Sequence, residues 1–552
     1  MKIALAQLNY HIGHFAHNKD LIVNTIVRAK QDHADLVVFS ELCVCGYPPQ
    51  DLLEYHGFIK QCEEAVQEIA THCKGIAAIV GSPRINPGNT GKMLLNSAYF
   101  IEDGAIKCIR DKTLLPTYDI FDEYRYFEPN NHFELIAFGG KKIALTICED
   151  LWDEQPVEGV FGRNRLYNES PMEKLKQFNP DMLINIAASP FSYSKIWGKK
   201  NIFIQKARRY QLPVYYVNQV GAQTELIFEG ASLAIHPNGV IHKEMKWFDR
   251  DYQVIDVDET AEMAENLETH DDYGVIAKIH DALVLGLSDF FDKQQFDKAL
   301  LGLSGGIDSA VSLVIAQRAL GNESLRVLMM PSAYSSKGSV KDSRLLADNL
   351  GVNYDEISIQ EIVHAFQHTL DPLFKDMAED VTEENLQARI RGTLLMAVSN
   401  KFGNILLNTS NKSESAVGYA TLYGDMSGAI SILGDVYKTD VYRLAEYINR
   451  HEEIIPQNIM EKAPSAELRP NQKDSDALPE YGLLDKILFQ YIELQKSAPE
   501  IVAEGFDEET VNMVTGMVNA NEYKRYQAPP VPRISSKAFG AGRRMPLVAK
   551  YS

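Results

Sequence analysis

Paired cysteines are missing from this chain. Its six cysteines, Cys43, Cys45, Cys62, Cys73, Cys108 and Cys148, fall within the first 148 residues and show no CxxC spacing. That pattern excludes a zinc ribbon or a secreted disulfide framework and leaves reduced thiols in a cytoplasmic protein as the expectation. Positive charge is scarce too: 55 Lys and Arg stand against 75 Asp and Glu, a formal net charge of −20. Such a surface repels polyanions, so no nucleic-acid partner is expected and an anionic ligand must meet a local basic pocket. No run approaches the ~18 apolar residues of a membrane span, so no membrane partner is expected either. The opening MKIALAQLNY, interrupted by Gln7 and Asn9, lacks the apolar core and cleavage site of a signal peptide. What is present suffices for at least two domains with full cores: 552 residues, 45% of them hydrophobic and 9% aromatic.

Residues 301–310, LGLSGGIDSA, join an apolar strand, a glycine turn and a helix start. Ala299, Leu300, Leu301 and Leu303 form the strand, Gly305 and Gly306 permit a tight turn with exposed amides, and IDSAVSLVIAQRAL has helical periodicity. Amides at the turn and the positive helix end would face one anion. The common NTPase loop requires Lys before Ser or Thr, whereas here Asp308 precedes Ser309. An acid beside phosphates implies a cation, so Asp308 reads as a Mg²⁺ ligand on the polyphosphate of ATP. The SGGIDS loop resembles that of the ATP pyrophosphatases, enzymes that activate a carboxylate or carbonyl as its adenylate and admit a nitrogen nucleophile.

The first half alternates apolar strands (KIALAQL, ADLVVFSEL, IAAIVGS, KIALTIC, DMLINIAAS, VYYVNQV) with helical stretches, and strand–helix alternation resumes with LRVLMMPS and GNILLNTS. This is α/β layering. An acidic stretch, DVDETAEMAENLETHDD, separates the halves. The expected division is therefore residues 1–258, a linker at 259–275, and residues 276–552. His11, His14 and His17 are spaced like a ligand trio, but Gly13 and polar neighbours favour a solvated loop.

Three strand ends in the first half deliver reactive groups: Glu41, Lys112 and Cys148. Glu149 and Asp150 would raise the Cys148 pKa, and Lys112 is the cation that could compensate. Cys43 and Cys45 read as small apolar fillers. The words FSELCVCGYPPQDLL, DKTLLPTYDIFDEYRYF and ICEDLW resemble, in order and spacing, the motifs of the nitrilase superfamily, specifically the glutaminase domain of the glutamine-dependent NAD synthetases. The resemblance implies a nitrilase-like α/β sandwich, with Cys148 attacking the glutamine amide, Glu41 as general base and Lys112 stabilising the tetrahedral intermediate. It also implies glutamine contacts at Tyr118, Ser189 and Lys195. Glu123 reads either as a second acid or as a surface carboxylate in a charged loop.

Beyond the glycine loop, ENLQARIR, NTSNKSE, YGDMSG, KTDVYRLA, PSAEL and NEYKRYQAPP continue the resemblance to NAD synthetases, over roughly residues 1 to 546. It implies a doubly wound parallel-sheet ATP-pyrophosphatase domain. ATP contacts would fall on Gly302, Leu303, Ser304, Gly305, Gly306, Ile307, Asp308, Ser309 and Thr409, deamido-NAD contacts on Asn385, Glu414 and Lys524, and Mg²⁺ on Asp308 and Glu414. Cations for so much phosphate could come from Arg389, Arg391, Lys412, Lys438, Lys524 and Arg525, several of them in local ion pairs. The sequence departs from the family at Ser410, where Gly is usual and a positive φ would be wanted, and at Ala222 and Thr224, where Gly and Asp are usual. The implied reaction is glutamine-dependent amidation of AMP-activated deamido-NAD by a cytoplasmic homo-oligomer. Two alternatives stay open: another adenylating amidotransferase with a different acceptor, and an ammonia-dependent synthetase whose first half is a scaffold.

Overall fold

The computed structural model describes residues 1–153, 166–262, 274–375 and 377–550. Most of the acidic linker expected at 259–275 therefore lies outside the described residues. The chain divides into two compact units, Met1–Asp272 and Tyr273–Ser552.

The first unit holds two six-stranded sheets. In spatial order one runs Asp251–Asp256, Lys2–Gln7, Leu36–Val38, Ala77–Ile85, Leu94–Glu102, Ala105–Asp111, and the other runs Ile241–Glu244, Leu233–Ile235, Val214–Asn218, Met182–Ala187, Lys141–Ile147, Ile136–Phe138. Period-two alternation assigns each residue to a layer. Ile3, Leu5, Leu36, Val38 and Ile79 face inward to a core shared with Leu145, Ile184 and Val217 of the other sheet. Their neighbours Ala4, Ala6, Val37, Phe39 and Val80 face outward to a second core with Ile22, Ile26, Val66 and Ile69 of the helices Phe15–Gln31 and His56–His72. Helix Ile196–Tyr210 covers the other face of that second sheet, where Phe203 packs on Tyr216 with ring centroids 4.1 Å apart. The result is the expected α/β sandwich. His14 lies exposed in the expected loop, and there its Nδ1 accepts the His17 amide at 3.3 Å and caps helix Phe15–Gln31.

The second unit is built on five parallel strands in the order Asn353–Glu356, Leu325–Met329, Ala299–Gly302, Ile405–Asn408, Ile430–Ser431. Strand order reverses beside Ala299–Gly302, so the crevice where a doubly wound sheet receives ligands opens between its carboxyl end and that of Ile405–Asn408. Helix Ile307–Leu320 is buried along most of its length because it lies between the sheet and the helices Val275–Gln294 and Lys438–Ile448. A separate helical core gathers Leu484, Ile487, Ile501, Val511, Val514 and Val518. Among the described residues no helix is long and apolar enough to cross a membrane.

Ile184 is fully buried between the sheets. Ile184→Ala should cost about 2–5 kcal/mol of the first unit's stability, read as a lower urea midpoint; an unchanged midpoint would contradict the shared inner core.

Candidate active sites

Glu41 sits three residues past the end of strand Leu36–Val38, in a turn pressed against Gly81 of the neighbouring strand. A Cβ at Gly81 would lie 2.5 Å from the Leu42 nitrogen, so only glycine lets the turn approach. The fully buried carboxylate accepts from Lys112 Nζ at 2.6 Å and Asn96 Nδ2 at 2.7 Å on one oxygen, and from the Ala188 amide at 3.0 Å on the other. Lys112, directly after strand Ala105–Asp111, also donates to both oxygens of Glu123 at 2.8 Å. Tyr47 donates to Glu123 at 2.8 Å. One ammonium thus serves two buried carboxylates. Burial works against the Lys112 charge, yet Glu123 and Glu41 hold its pKa well above the ordinary value. Burial pushes Glu123 up to about 7, against the pull of Lys112 and with help from the Glu41 charge.

Cys148 ends strand Lys141–Ile147 in the left-handed region, at φ +44°, where a non-glycine residue is unusual. The Asp150 carboxylate fixes this turn by accepting from the Ile147 amide at 3.0 Å, Thr113 at 3.0 Å and Leu114 at 2.8 Å. Nucleophile turn and Lys112 segment are thereby joined. Burial raises the thiol pKa well above its usual value, the Glu41 charge adds to this and Lys112 opposes it. The raised pKa favours the neutral thiol, and the Glu41 charge contributes to that rise.

Two of the residues proposed to touch substrate, Tyr118 and Lys195, bear on Glu149. Tyr118 donates to its Oε1 at 2.8 Å and Tyr167 at 2.9 Å, while Lys195 bears on it as a favourable charge. Burial raises the Glu149 pKa and these groups oppose the rise. Ser189 is held by its amide, which donates to Asn218 Oδ1 at 2.9 Å. Sequence reasoning treated Glu149 only as a charge adverse to Cys148. The signal that could have found it is its place directly after the nucleophile, where a strand-end turn buries whatever follows.

In the second unit, a cavity of 310 Å³ is lined by Gly302 through Ser309, Thr409, Arg391, Glu414 and Lys438, with Met330, Leu395 and Leu406 forming an apolar wall. Gly305 has φ +79°, and a Cβ there would come within 2.5 Å of the Ser339 carbonyl. Ser309 Oγ donates to the Gly306 carbonyl at 3.0 Å and ties the loop to the helix start. Asp308 Oδ2 and Glu414 Oε1 share Lys438 Nζ, at 2.6 and 3.2 Å, and Asn411 donates to Asp308 Oδ1 at 2.9 Å. Burial lowers the charged state of Lys438 less than the two carboxylates raise it. Two carboxylates converging on one cationic position in a phosphate-sized crevice are a donor set that fits Mg²⁺ with phosphate oxygens. Arg391 donates through Nε to the Met330 carbonyl at 3.1 Å, and burial lowers its pKa to about 10.

Two of the expected cations are committed elsewhere. Lys412 is fully buried among Glu493, Asp435 at 2.8 Å and Ser535 at 2.9 Å. Arg525 grips the Ala416 carbonyl at 2.6 Å and Glu522 at 2.6 Å. Asn385 and Lys524 lie outside the large cavity's described lining: Asn385 accepts from Thr421 at 2.7 Å, and Lys524 donates to the carbonyls of Gly418 at 2.7 Å and Ala420 at 2.9 Å. Both brace one turn. Lys524 also borders a smaller cavity of 30 Å³ that shares Asn408 and Ser410 with the large one.

Comparison with known proteins gives the same two halves. The carbon-nitrogen hydrolase family matches residues 2–157 and the NAD synthase family residues 279–528. The glutamine-dependent NAD(+) synthetase of Synechocystis sp. is 42% identical over 558 residues, covering 100% of this chain and 99% of the relative. That of Acinetobacter baylyi is 40% identical, covering 99% and 98%. The chain belongs to the glutamine-dependent NAD(+) synthetase family. A solved structure of the Acinetobacter baumannii member in complex with adenosine diphosphate is similar with a TM-score of 0.76 at 38% identity, over 99% of this chain and 98% of that one.

Where the chain departs from its NAD synthetase family, the backbone shows what changes. Ser410 is not among the described residues with positive φ; its amide donates to Asn408 Oδ1 at 3.0 Å, so the turn forms without glycine. Thr224, by contrast, takes φ +58° in the turn joining strands Val220–Gln223 and Leu226–Glu229, and Ala222 pairs with Ile227 in that hairpin.

A pH dependence follows from Glu123. Its carboxyl, pushed up to about 7, takes up a proton below that pH, leaving the whole Lys112 charge paired with Glu41 and that carboxylate less available to the Cys148 thiol. Glutamine hydrolysis should therefore fall as pH drops through about 7. Glu123→Gln should flatten this limb at the low level, and a pH profile of kcat/KM that keeps its limb in the variant would refute the assignment.

Proposed function

We propose that the first unit hydrolyses glutamine and that the second uses the nitrogen to convert deamido-NAD to NAD, with ATP cleaved to AMP and pyrophosphate. The observation that carries this reading is the meeting of Lys112 with Glu41 beside the buried Cys148 thiol. Glu41 takes the thiol proton, sulfur attacks the amide carbon, and Lys112 stabilises the resulting oxyanion. Glu41 returns the proton to the departing ammonia; water activated by the same carboxylate then releases glutamate. Tyr118, Ser189 and Lys195 hold the amino acid, and we add Glu149 as acceptor for its ammonium group.

In the second unit, the amides of 302–309 and Thr409 receive the ATP phosphates, and Asp308 and Glu414 hold Mg²⁺. When bound, the ion neutralises charge building up on the polyphosphate. Lys438, released from the carboxylates it bridges, supplies a further cation to the same phosphates. The deamido-NAD carboxylate attacks the α-phosphorus, pyrophosphate leaves, and ammonia displaces AMP. The ADP-bound relative supports ATP as substrate. Asn385, Glu414 and Lys524 are assigned to deamido-NAD, and the reading includes homo-oligomeric assembly in the cytoplasm.

Mass-spectrometric product analysis with ATP, Mg²⁺, glutamine and deamido-NAD should show NAD, AMP, pyrophosphate and glutamate. AMP formation that depends on a different acceptor would overturn the substrate. Cys148→Ala should lose glutamine-supported synthesis by on the order of 10⁴-fold and keep synthesis from concentrated ammonium at mildly alkaline pH. Asp308→Ala should show the reverse, losing pyrophosphate release while glutamine hydrolysis persists; near-normal release would exclude the metal assignment.

A further inference from the structure

Helix Ile196–Tyr210 turns lysines inward where aliphatic side chains would pack at lower cost. Lys199 is only 9% exposed, and its ammonium meets a carboxylate oxygen of Glu229 together with the carbonyls of Ser189 at 3.4 Å and Pro190 at 3.3 Å. Both carbonyls belong to residues 188–191, the segment that leaves strand Met182–Ala187 at its carboxyl end. The same segment meets the catalytic set twice: the Ala188 amide donates to Glu41 Oε2 at 3.0 Å, and Ser189 is the candidate glutamine contact. Asn218 closes it from the other side, donating to the Ser189 carbonyl at 3.1 Å and accepting the Ser189 amide at 2.9 Å. Phe191 completes the hold with its amide on the Ile227 carbonyl at 2.7 Å.

Desolvating a lysine is unfavourable unless partners compensate. Glu229, at the end of strand Leu226–Glu229, balances the charge; what the ammonium adds beyond an apolar side chain of equal length is its grip on two carbonyls. We propose that Lys199, paired with Glu229, is a positioning residue for amide hydrolysis. It fixes residues 188–191 so that the Ala188 amide orients Glu41 and Ser189 meets the substrate. The inference rests on the reading of Glu41 and Cys148 as base and nucleophile. Releasing the grip acts on two quantities, because a turned Glu41 slows attack while a displaced Ser189 weakens glutamine binding. A misplacement of ~1 Å can cost on the order of 10²-fold.

The test compares Lys199→Met, the paired Lys199→Met/Glu229→Leu, and Lys199→Arg in the full chain, with Cys148→Ala as control. Glutamine hydrolysis is expressed per Cys148 thiol titrated by a glutamine-like electrophile, and thermal unfolding is followed alongside. The paired variant, which removes both charges together, should melt near the parent, yet show a raised KM for glutamine, a lowered kcat and a kcat/KM reduced on the order of 10- to 100-fold. Lys199→Arg should recover most of that loss. A kcat/KM within about twofold of the parent in a folded methionine variant, or a loss explained wholly by fewer titratable sites at unchanged KM, would overturn the proposal. Failure of both methionine variants to fold would overturn it as well, being the mark of a purely structural pair. Hydrolysis that survives Cys148→Ala would instead overturn the underlying reading of the site, whatever Lys199 does.

Discussion

A single ammonium shared by two buried carboxylates governs the first unit. Lys112, Glu41 and Glu123 carry three charges out of water, and such a group persists only where every oxygen and proton finds a partner. Its members arrive from separated parts of the chain. Glu41 and Lys112 follow strands of one sheet, while Cys148 ends a strand of the other, so the packing of Ile3, Leu5 and Phe100 against Leu145 and Ile184 sets catalytic distances as well as stability. Asp150 carries this dependence to the backbone, because the amides it holds come from the last residue of a strand in one sheet and from the segment that follows a strand of the other.

The second unit solves a different electrostatic problem on a different scaffold. Parallel strands leave all their carboxyl ends at one edge, and the order reversal opens a crevice there. Charge is stored as an exchangeable arrangement, with Lys438 between Asp308 and Glu414 at the mouth of the glycine loop. The fixed triad of the first unit suits proton movement within one small substrate. The crevice suits large anionic ligands that bring their own charge.

Most strands were legible in the sequence because they are short apolar runs with period-two faces, and the reactive residues were legible because they stand at the ends of those runs. KIALTIC, for instance, shows both its strand and the candidate nucleophile that follows it. The partners were harder to see. Lys199 meets Glu229 and Ser189 through folding of distant segments, and no local pattern distinguishes it from Lys200 beside it. Lys412 and Lys438 lie in equally polar motifs, yet Asp435 and Glu493 draw the first into the core while the second reaches the crevice. Ser410 stands where the family usually has glycine, and no local pattern told that a side-chain acceptor at Asn408 closes the turn without a positive φ.

The depth of Cys148 has a bearing on the enzyme's durability. Peroxide attacks thiolates, and sulfenic acid forms fastest where a thiol is both ionised and open to solvent. Here the sulfur is buried, and burial together with the Glu41 charge raises its pKa, a setting that disfavours the thiolate and so slows oxidation. The burial that raises the pKa of this sulfur thus also shelters it from oxidation while no ligand is bound.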